Sequence, residues 1–177
     1  MPGRPFVSGD RVDLCAVSEE DVDFLRDTVD DPAVWPTIAA RTPTTEKQER
    51  EWYEERASSD DGGVNFVVAV DGESVGTVGV HGVDDVNGSA ELGIFLAEEF
   101  WGEGYGTEAA RLATTYAFDQ HRRHRVTARV FEGNEGSIRI WEKLGYELEG
   151  VHRDEVFVDG TYTDVRYYSV LEDEWDG

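Results

Sequence analysis

Three glycines that alternate with other residues are the first feature of this chain whose spacing indicates chemistry. They are Gly102, Gly104 and Gly106, in the stretch EFWGEGYGTEAA at residues 99–110. Glycine is favoured where the backbone must approach another group closely. Helically spaced apolar residues follow, and the start of a helix offers N–H groups and a dipole that favour an anion. The stretch therefore predicts a loop that binds a diphosphate, with a loop that binds nothing as the alternative.

Two other kinds of nucleotide site fit this stretch less well. The segment GYGTEA at residues 104–109 matches the dinucleotide fingerprint G-x-G-x-x-A. That fingerprint begins directly after a strand and is followed about 20 residues later by an acid. Here EEFWGE intervenes, and HRRHRVTARVF contains no acid before Glu132. A nicotinamide-dependent enzyme is therefore disfavoured, and a Walker-type phosphate loop is excluded because no Gly-Lys-Ser/Thr follows.

The elements around the loop indicate a mixed α and β protein. Hydrophobic periodicity and turn residues predict strands at 11–17, 64–70, 73–83, 89–97, 125–131, 146–158 and 162–171. They predict helices from Ser18, capped with Asp21, to about Val29, and at 44–59, 104–120 and 134–145. SSDDGG at 58–63 predicts a loop. The order of elements predicts an α+β fold with a mostly antiparallel central sheet flanked by helices, in one domain over residues 1–177.

The charge of the chain is strongly unbalanced. It has 39 acidic residues against 16 basic ones, for a net charge of −23, and only two of the basic residues are lysine. The acids are spread along the chain, and this composition resembles that of a protein from a halophilic archaeon. In molar salt the Debye length is about 3 Å, so the net charge does not identify a substrate. It does disfavour nucleic acid as a direct ligand.

The remaining composition bounds the location and the partners. The sequence has no run of about 18 apolar residues, so no membrane partner is expected. Cys15 is the single cysteine, and the N-terminus has no signal-peptide pattern, which leads us to expect a cytoplasmic protein. His121 and His124 have no evident third ligand nearby, so no metal is expected.

Several motifs together resemble one enzyme family. The stretch AELGIFLAEEFWGEGYGTEAARLATTYAF resembles the coenzyme A–binding motif of the GNAT N-acetyltransferases, which is a strand, a loop of type Arg/Gln-x-x-Gly-x-Gly/Ala and a helix. Trp101 departs from the first position of that loop but is usual in the RimJ/RimL-like branch, which modifies ribosomal-protein N-termini. NEGSIRIWEKLGYELEG and VDGTYTDVRYYSVLEDEW resemble the second motif and the C-terminal hairpin of that branch. The resemblance covers about residues 5–175 and implies the GNAT fold.

The resemblance implies which residues bind acetyl-CoA, the expected co-substrate. Backbone N–H groups of the loop would hold the diphosphate, and the backbone of Phe95 and Leu96 would pair with the pantetheine amides. Asn134 would bond the cofactor arm, in addition to its role as a helix N-cap. The loop residues concerned are Trp101, Gly102, Gly104, Tyr105, Gly106 and Thr107.

The resemblance also implies two catalytic residues. Ser137 would protonate the leaving thiolate, since Trp141 stands where many relatives have a tyrosine, and Glu91 would relay the proton of the amine. Helix packing for Ser137 and a surface role for Glu91 are the alternatives. The related branch places another glutamate where this chain has Val156, and we expect the adjacent Glu155 to face the other side of the sheet.

The free-energy cost of deprotonating an amine limits which amines are suitable acceptors. At pH 7 this costs about 1 kcal/mol for an α-amine and about 4.6 kcal/mol for a lysine. A weak base is therefore better suited to a peptide N-terminal α-amine. A small-molecule amine or aminoglycoside acceptor, a non-catalytic acyl-CoA-binding protein and a homodimer all stay open. Trp35, Trp52 and Tyr53 are expected to build the acceptor pocket or to pack in the core.

Overall fold

Eight strands and four α-helices occur in the part of the chain that the computed structural model describes, residues 2–38, 40–56 and 63–177. The strands are β1 (Pro5–Ser8), β2 (Asp13–Ala16), β3 (Val64–Val70), β4 (Glu73–Asp84), β5 (Ser89–Leu96), β6 (Arg125–Phe131), β7 (Glu147–Val158) and β8 (Thr161–Leu171). The helices are α1 (Val22–Val29), α2 (Glu46–Arg56), α3 (Tyr105–Asp119) and α4 (Glu135–Lys143). The predictions for 57–59 and for most of the loop at 58–63 lie outside the described residues.

Most predicted elements are confirmed with shifted ends. A 3-10 turn at Glu19–Asp21 precedes α1, and Asp21 accepts hydrogen bonds from the N–H and the hydroxyl of Ser18. The predicted strand at 11–17 is shorter, because the N–H of Gly9 closes a turn on the carbonyl of Val12. Strand β1 was not predicted. It has four residues, three of them exposed, and so carries little hydrophobic pattern.

The strands form one sheet in the order β1-β2-β3-β4-β5-β6-β8-β7. Every neighbouring pair is antiparallel except β5 and β6, which are parallel. Parallel neighbours need a crossover connection, and here α3 supplies it between the end of β5 and the start of β6. The mostly antiparallel α+β fold is therefore confirmed, with β5 and β6 as the parallel pair of the described sheet.

The core lies between one face of the sheet and α3. Four alanines of this helix, at positions 109, 110, 113 and 117, are fully buried against valines and leucines of the strands. Their small side chains let the helix lie close to the sheet. Gly106 likewise lets α3 lie close to α4, since an added Cβ would lie 2.9 Å from Cδ1 of Ile140. In the described ranges, no helix is both long and apolar enough to cross a membrane.

Candidate active site

Strand β5 has an open edge next to the glycine loop. β5 and β6 pair only through residues 89–91, which lie opposite residues 125–127. Beyond Glu91 the second half of β5 is not paired with β6, while it stays paired with β4 on its other side. An open strand edge presents backbone N–H and C=O groups that an extended ligand can pair with, as an added strand does.

The register determines which backbone groups face this gap. The N–H of Ala97, just after β5, donates to a β4 carbonyl at 3.0 Å, and the pairing of β4 with β5 has no shift along residues 76–81. Bonded and non-bonded positions alternate in an antiparallel pair, so the backbone of Phe95 points to β4. The backbone groups of Ile94 and Leu96 point to the gap. The prediction names Phe95 and Leu96, whereas the register presents the backbone of Ile94 and Leu96 to the gap.

The glycine loop ends at the start of α3, where backbone N–H groups have no partner within the helix. Gly104 is the N-cap residue and has a φ of 86°, in the left-handed region that favours glycine. The first helical hydrogen bond runs from Glu108 N–H to the carbonyl of Gly104. The N–H groups of Tyr105, Gly106 and Thr107 come before it and have no partner within the helix. This start can hold an anion, as the sequence predicts.

Two side chains brace the loop, Trp101 from within it and Arg11 from the turn before β2. The indole Nε1–H of Trp101 donates to the carbonyl of Leu96 at 2.9 Å, which ties the loop to the end of β5. Nη2 of Arg11 donates to the carbonyl of Glu103 at 3.0 Å, and its guanidinium lies 4.9 Å from the ring centroid of Tyr105. Glu103 itself is exposed, as expected. The sequence analysis did not identify Arg11, because no local pattern joins it to this loop.

Glu108 anchors the first turn of α3 to the turn that precedes β2. Its carboxylate accepts hydrogen bonds from the backbone N–H groups of Arg11 at 2.8 Å and Val12 at 3.2 Å. Burial alone would raise the pKa of this carboxyl. Backbone hydrogen bonds from Arg11, Val12 and Asp10 together with the Arg11 charge outweigh burial and leave the pKa lowered. The helix start at which the glycine loop ends is thus held in place against the turn before β2.

A cleft of about 630 Å³ lies on the sheet face opposite α3 and extends into the gap beside β5. Among the predicted site residues, Glu91, Phe95, Asn134 and Ser137 line it. The glycine loop lies outside the cleft, at the far end of the open edge of β5. The structure therefore separates the predicted site into a loop and a cleft that the second half of β5 connects.

Asn134 and Ser137 stand at the start of α4. The side-chain oxygen of Asn134 accepts the N–H of Ser137 at 3.2 Å, which confirms its role as the N-cap. The hydroxyl oxygen of Ser137 accepts a hydrogen bond from Nε1 of Trp141 at 3.2 Å. Trp141 is buried in the core, so it fixes Ser137 at the cleft wall while the hydroxyl hydrogen stays able to donate.

Glu91 is held by an ion pair in the cleft. Nε of Arg129, from the paired strand β6, donates to Oε1 of Glu91 at 3.0 Å. Burial opposes the charge on Arg129, but the neighbouring Glu91 carboxylate outweighs it and raises the pKa of this guanidinium. Arg129 was not singled out from the sequence, although it follows the alternation that places Arg125 and Thr127 on the same face.

The expectation that Glu155 faces away from the cleft is wrong. The register of β7 with β8 shifts between His152 and Val156, and Asp154 has a φ of 52°. The hydroxyl of Tyr167 donates to Glu155 at 2.6 Å, and Tyr167 pairs with Arg129 on the cleft face. A bulge changes the simple alternation of a strand. Here it brings Glu155 to the cleft margin, next to Val156, which lines the cleft.

The N-terminal segment covers the cleft and carries a buried acid. Trp52 of α2 lines the cleft, whereas Trp35 and Tyr53 do not belong to its described lining. Glu49, one turn before Trp52, is 7% exposed and also lines the cleft. Burial raises the pKa of Glu49, and the Arg26 charge opposes this shift. The N-terminal side of the cleft therefore combines an aromatic ring with a carboxyl group, and Glu49 was not predicted.

The arrangement suits a long ligand with an anionic group near one end and a reactive group at the other. The anionic group would lie on the backbone N–H groups in the first turn of α3. The linear part would run along Leu96 and Ile94, and the reactive end would lie in the cleft near Ser137 and Glu91. These features match coenzyme A as a shape and a charge pattern. Among the described residues, no group of three or more His, Cys, Asp and Glu side chains could hold a metal ion.

Comparisons with known proteins agree with this geometry. A model of the acetyltransferase (GNAT) domain matches residues 11–147. The chain is 38% identical over 122 residues, 69% of this chain and 67% of the relative, to the putative ribosomal N-acetyltransferase YdaF of Bacillus subtilis (strain 168). It is 37% identical over 97 residues to the spermidine N(1)-acetyltransferase of Escherichia coli (strain K12), which is 55% of this chain and 52% of that relative.

A solved structure has the same fold over almost the whole chain. The spermidine N-acetyltransferase from Vibrio cholerae, in complex with CoA and spermine, superposes with a TM-score of 0.87. The match covers 94% of this chain and 98% of that one, at 22% sequence identity. A likeness at this identity concerns the architecture of the sheet and its helices.

Proposed function

The chain belongs to the GNAT acetyltransferase family, and from this premise we propose that it transfers the acetyl group of acetyl-CoA to a peptide N-terminal α-amine. The amine nitrogen attacks the thioester carbonyl directly, so that no acyl group is carried on the protein. Ser137 protonates the departing thiolate. Loop 101–107 holds the diphosphate through its backbone, and the edge of β5 aligns the pantetheine arm.

One observation carries this proposal more than any other. The pairing of β5 with β6 stops at Glu91. The open half of β5 leads from the cleft to the backbone N–H groups in the first turn of α3. A sheet that keeps polar backbone groups unpaired at its centre loses hydrogen bonds unless a ligand supplies them. An extended amide-bearing arm with a diphosphate at its end supplies both sets of partners.

Two arguments favour a peptide α-amine. The first is the low cost of deprotonating an α-amine near pH 7, which suits a cleft whose acids are paired or buried. The second is the similarity to a relative that is named as a putative ribosomal N-acetyltransferase. On this basis we propose that the chain is of the RimJ/RimL-like type and that it acts in the cytoplasm of a salt-rich cell.

A polyamine is the second candidate acceptor. Glu49 and Glu91 both line the cleft, beside the ring of Trp52. Carboxylates and an aromatic face attract alkylammonium groups, and one relative of this chain is named as a spermidine N(1)-acetyltransferase. A polyamine would place one ammonium group at the thioester and another near Glu49.

Release of free thiol from acetyl-CoA tests both candidates in the same assay. We would compare a peptide with a free N-terminus, the same peptide with an acetylated N-terminus and an internal lysine, and spermidine. Mass spectrometry would locate the added acetyl group. Turnover of the free peptide alone is the expected result, and turnover of spermidine alone would support the polyamine. Absence of turnover with every amine, in a folded protein that binds CoA, would refute the proposed function.

A further inference from the structure

We propose that His81 is the group that takes the proton from the acceptor amine, an inference that rests on the proposed acetyl transfer. His81 lies on β4 directly opposite Glu91 of β5, and both residues line the cleft. The sequence analysis assigned this proton to Glu91. His81 has no motif around it and is recognisable only from its place in the sheet.

Two glycines shape the cleft floor around the imidazole. Gly79 and Gly93 face each other across β4 and β5. A Cβ on Gly79 would collide with Nε2 of His81 and would lie 2.5 Å from Oδ1 of Asn65. A Cβ on Gly93 would lie 3.7 Å from Cδ2 and 3.8 Å from Nε2 of His81. The ring therefore leans from position 81 over position 79, where larger residues would exclude it.

This orientation brings the imidazole toward the end of the open β5 edge. Ile94, directly after Gly93, turns its backbone to the gap where the acyl end of a ligand bound along β5 would lie. Such a ligand starts at the loop beyond Leu96 and runs back along the strand. An amine that attacks its acyl carbon from the cleft therefore meets that carbon beside Gly93, over which the ring of His81 lies.

His81 is chemically better suited to this task than Glu91. Oε1 of Glu91 already accepts from Arg129 at 3.0 Å. Histidine is the side chain that most often serves as a general base, because a neutral imidazole nitrogen can accept a proton from an attacking nucleophile.

Charged side chains from several other elements share the cleft with His81. Among the described residues, Glu91 of β5 and Arg129 of β6 form the ion pair beside it, while Glu49 of α2 and Arg41 of the preceding segment line the N-terminal side. Glu155 of β7 lies at the cleft margin, where it accepts a hydrogen bond from Tyr167 of β8. The imidazole therefore lies in a mixed field and not in a one-signed cluster.

The proposed step balances in protons and bonds. The ammonium group of the acceptor gives one proton to His81, which later releases it to solvent. The free amine attacks the carbonyl carbon, so that a C–N bond forms and the C–S bond breaks. The nitrogen loses its second proton to solvent, and the thiolate gains one from Ser137, which recovers it from solvent. The products are the acetylated amine, CoA and one released proton.

The test compares His81→Gln with the wild-type protein. We expect kcat to fall at least about 100-fold, in the range typical of a lost general base, with acetyl-CoA affinity within about twofold. The wild-type kcat should fall as the pH is lowered, because a protonated base cannot take a proton from the amine, and the variant should lose this dependence. A kcat within threefold of wild type, with the pH dependence intact, would overturn the role of His81.

A control and a second measurement keep the test decisive. His121→Gln changes a histidine that bonds Tyr116 at the far end of α3, so it should leave kcat unchanged. If wild type acetylates no amine, the proposed function fails separately, and NMR then tests His81 alone. The imidazole signal that disappears in His81→Gln should shift on acetyl-CoA binding more than on CoA binding. A His81 signal whose chemical shift changes with neither ligand would place His81 away from the acyl group and refute its role.

Discussion

Replacing Gly104 with alanine tests whether main-chain amides in the first turn of α3 hold the diphosphate. Gly104 has a φ of +86°, and an added Cβ would come 3.1 Å from Nη2 of Arg11. A residue with a side chain pays about 1–2 kcal/mol in this left-handed region. The strain can be relieved by rotation of the peptide units that present the N–H groups of Tyr105 and Gly106 to the ligand.

The same strain energy appears either in folding or in binding. If the loop keeps its conformation, about 1–2 kcal/mol is lost from the free energy of unfolding. If the loop relaxes in the free protein, binding must restore it and the cost weakens the affinity instead. Because Gly104 is exposed, we expect relaxation, with an affinity for CoA about 5- to 30-fold lower, since 1.4 kcal/mol corresponds to a factor of 10.

Gly72→Ala is the matched control for this substitution. Gly72 has a φ of +80° in the turn between β3 and β4, and an added Cβ would meet nothing within 4 Å. It should lower the melting temperature by about 2–8 °C, as expected for about 1–2 kcal/mol in a chain of this size, and leave CoA binding unchanged. Calorimetric titration with CoA and thermal unfolding measure both quantities. If Gly104→Ala keeps both the CoA affinity and the melting temperature of the wild-type protein, the reasoning is refuted, because the strain would then appear neither in binding nor in folding.

Three further predictions concern catalysis, acid stability and salt. Ser137→Ala should lower kcat at least tenfold with little change in CoA affinity, and unchanged turnover would remove Ser137 from the mechanism. The same variant should lose about 1 kcal/mol of stability, because Nε1 of the buried Trp141 loses its hydrogen-bond acceptor. The pKa of Glu108 is lowered from 4.5 by folding, so its stabilisation is complete above that value and is lost as the pH falls below it. Denaturant unfolding of Glu108→Gln should therefore show a shallower loss of stability below about pH 4.5, and an unchanged slope would contradict this. With a net charge of −23, the melting temperature should rise between about 0.1 M and 2 M KCl as the Debye length falls from about 10 Å to below 3 Å, and a flat or falling curve would argue against adaptation to salt.

The sequence predicts the site best where the signal is local. The three glycines and the helical spacing after them lie within about twenty residues, and they identify the loop and α3 without any long-range information. Asn134 is recognisable as a cap because it precedes a helical pattern by one position. The hairpin strands β3, β4 and β5 follow in the same way from alternation and turn residues.

The catalytic side of the site could not be predicted to the same extent. Phe95 and Ile94 are equivalent in the sequence, and only the pairing of β5 with β4 decides which backbone faces the gap. Glu155 reaches the cleft because of a bulge, and such an irregularity leaves no reliable local pattern. Arg11 and Glu108 meet across 97 positions, so no window of sequence joins them.

The sequence by itself thus determined the order of the elements after β1, the position of the glycine loop before α3 and the family to which the chain belongs. Those features depend on backbone preferences and side-chain spacing within one helix or one hairpin. The tertiary structure decided where β5 and β6 separate, which amides they leave open, and that His81 lies opposite Glu91 on the cleft floor. These are properties of strand register, which pairs distant residues and therefore exists only once the sheet has formed.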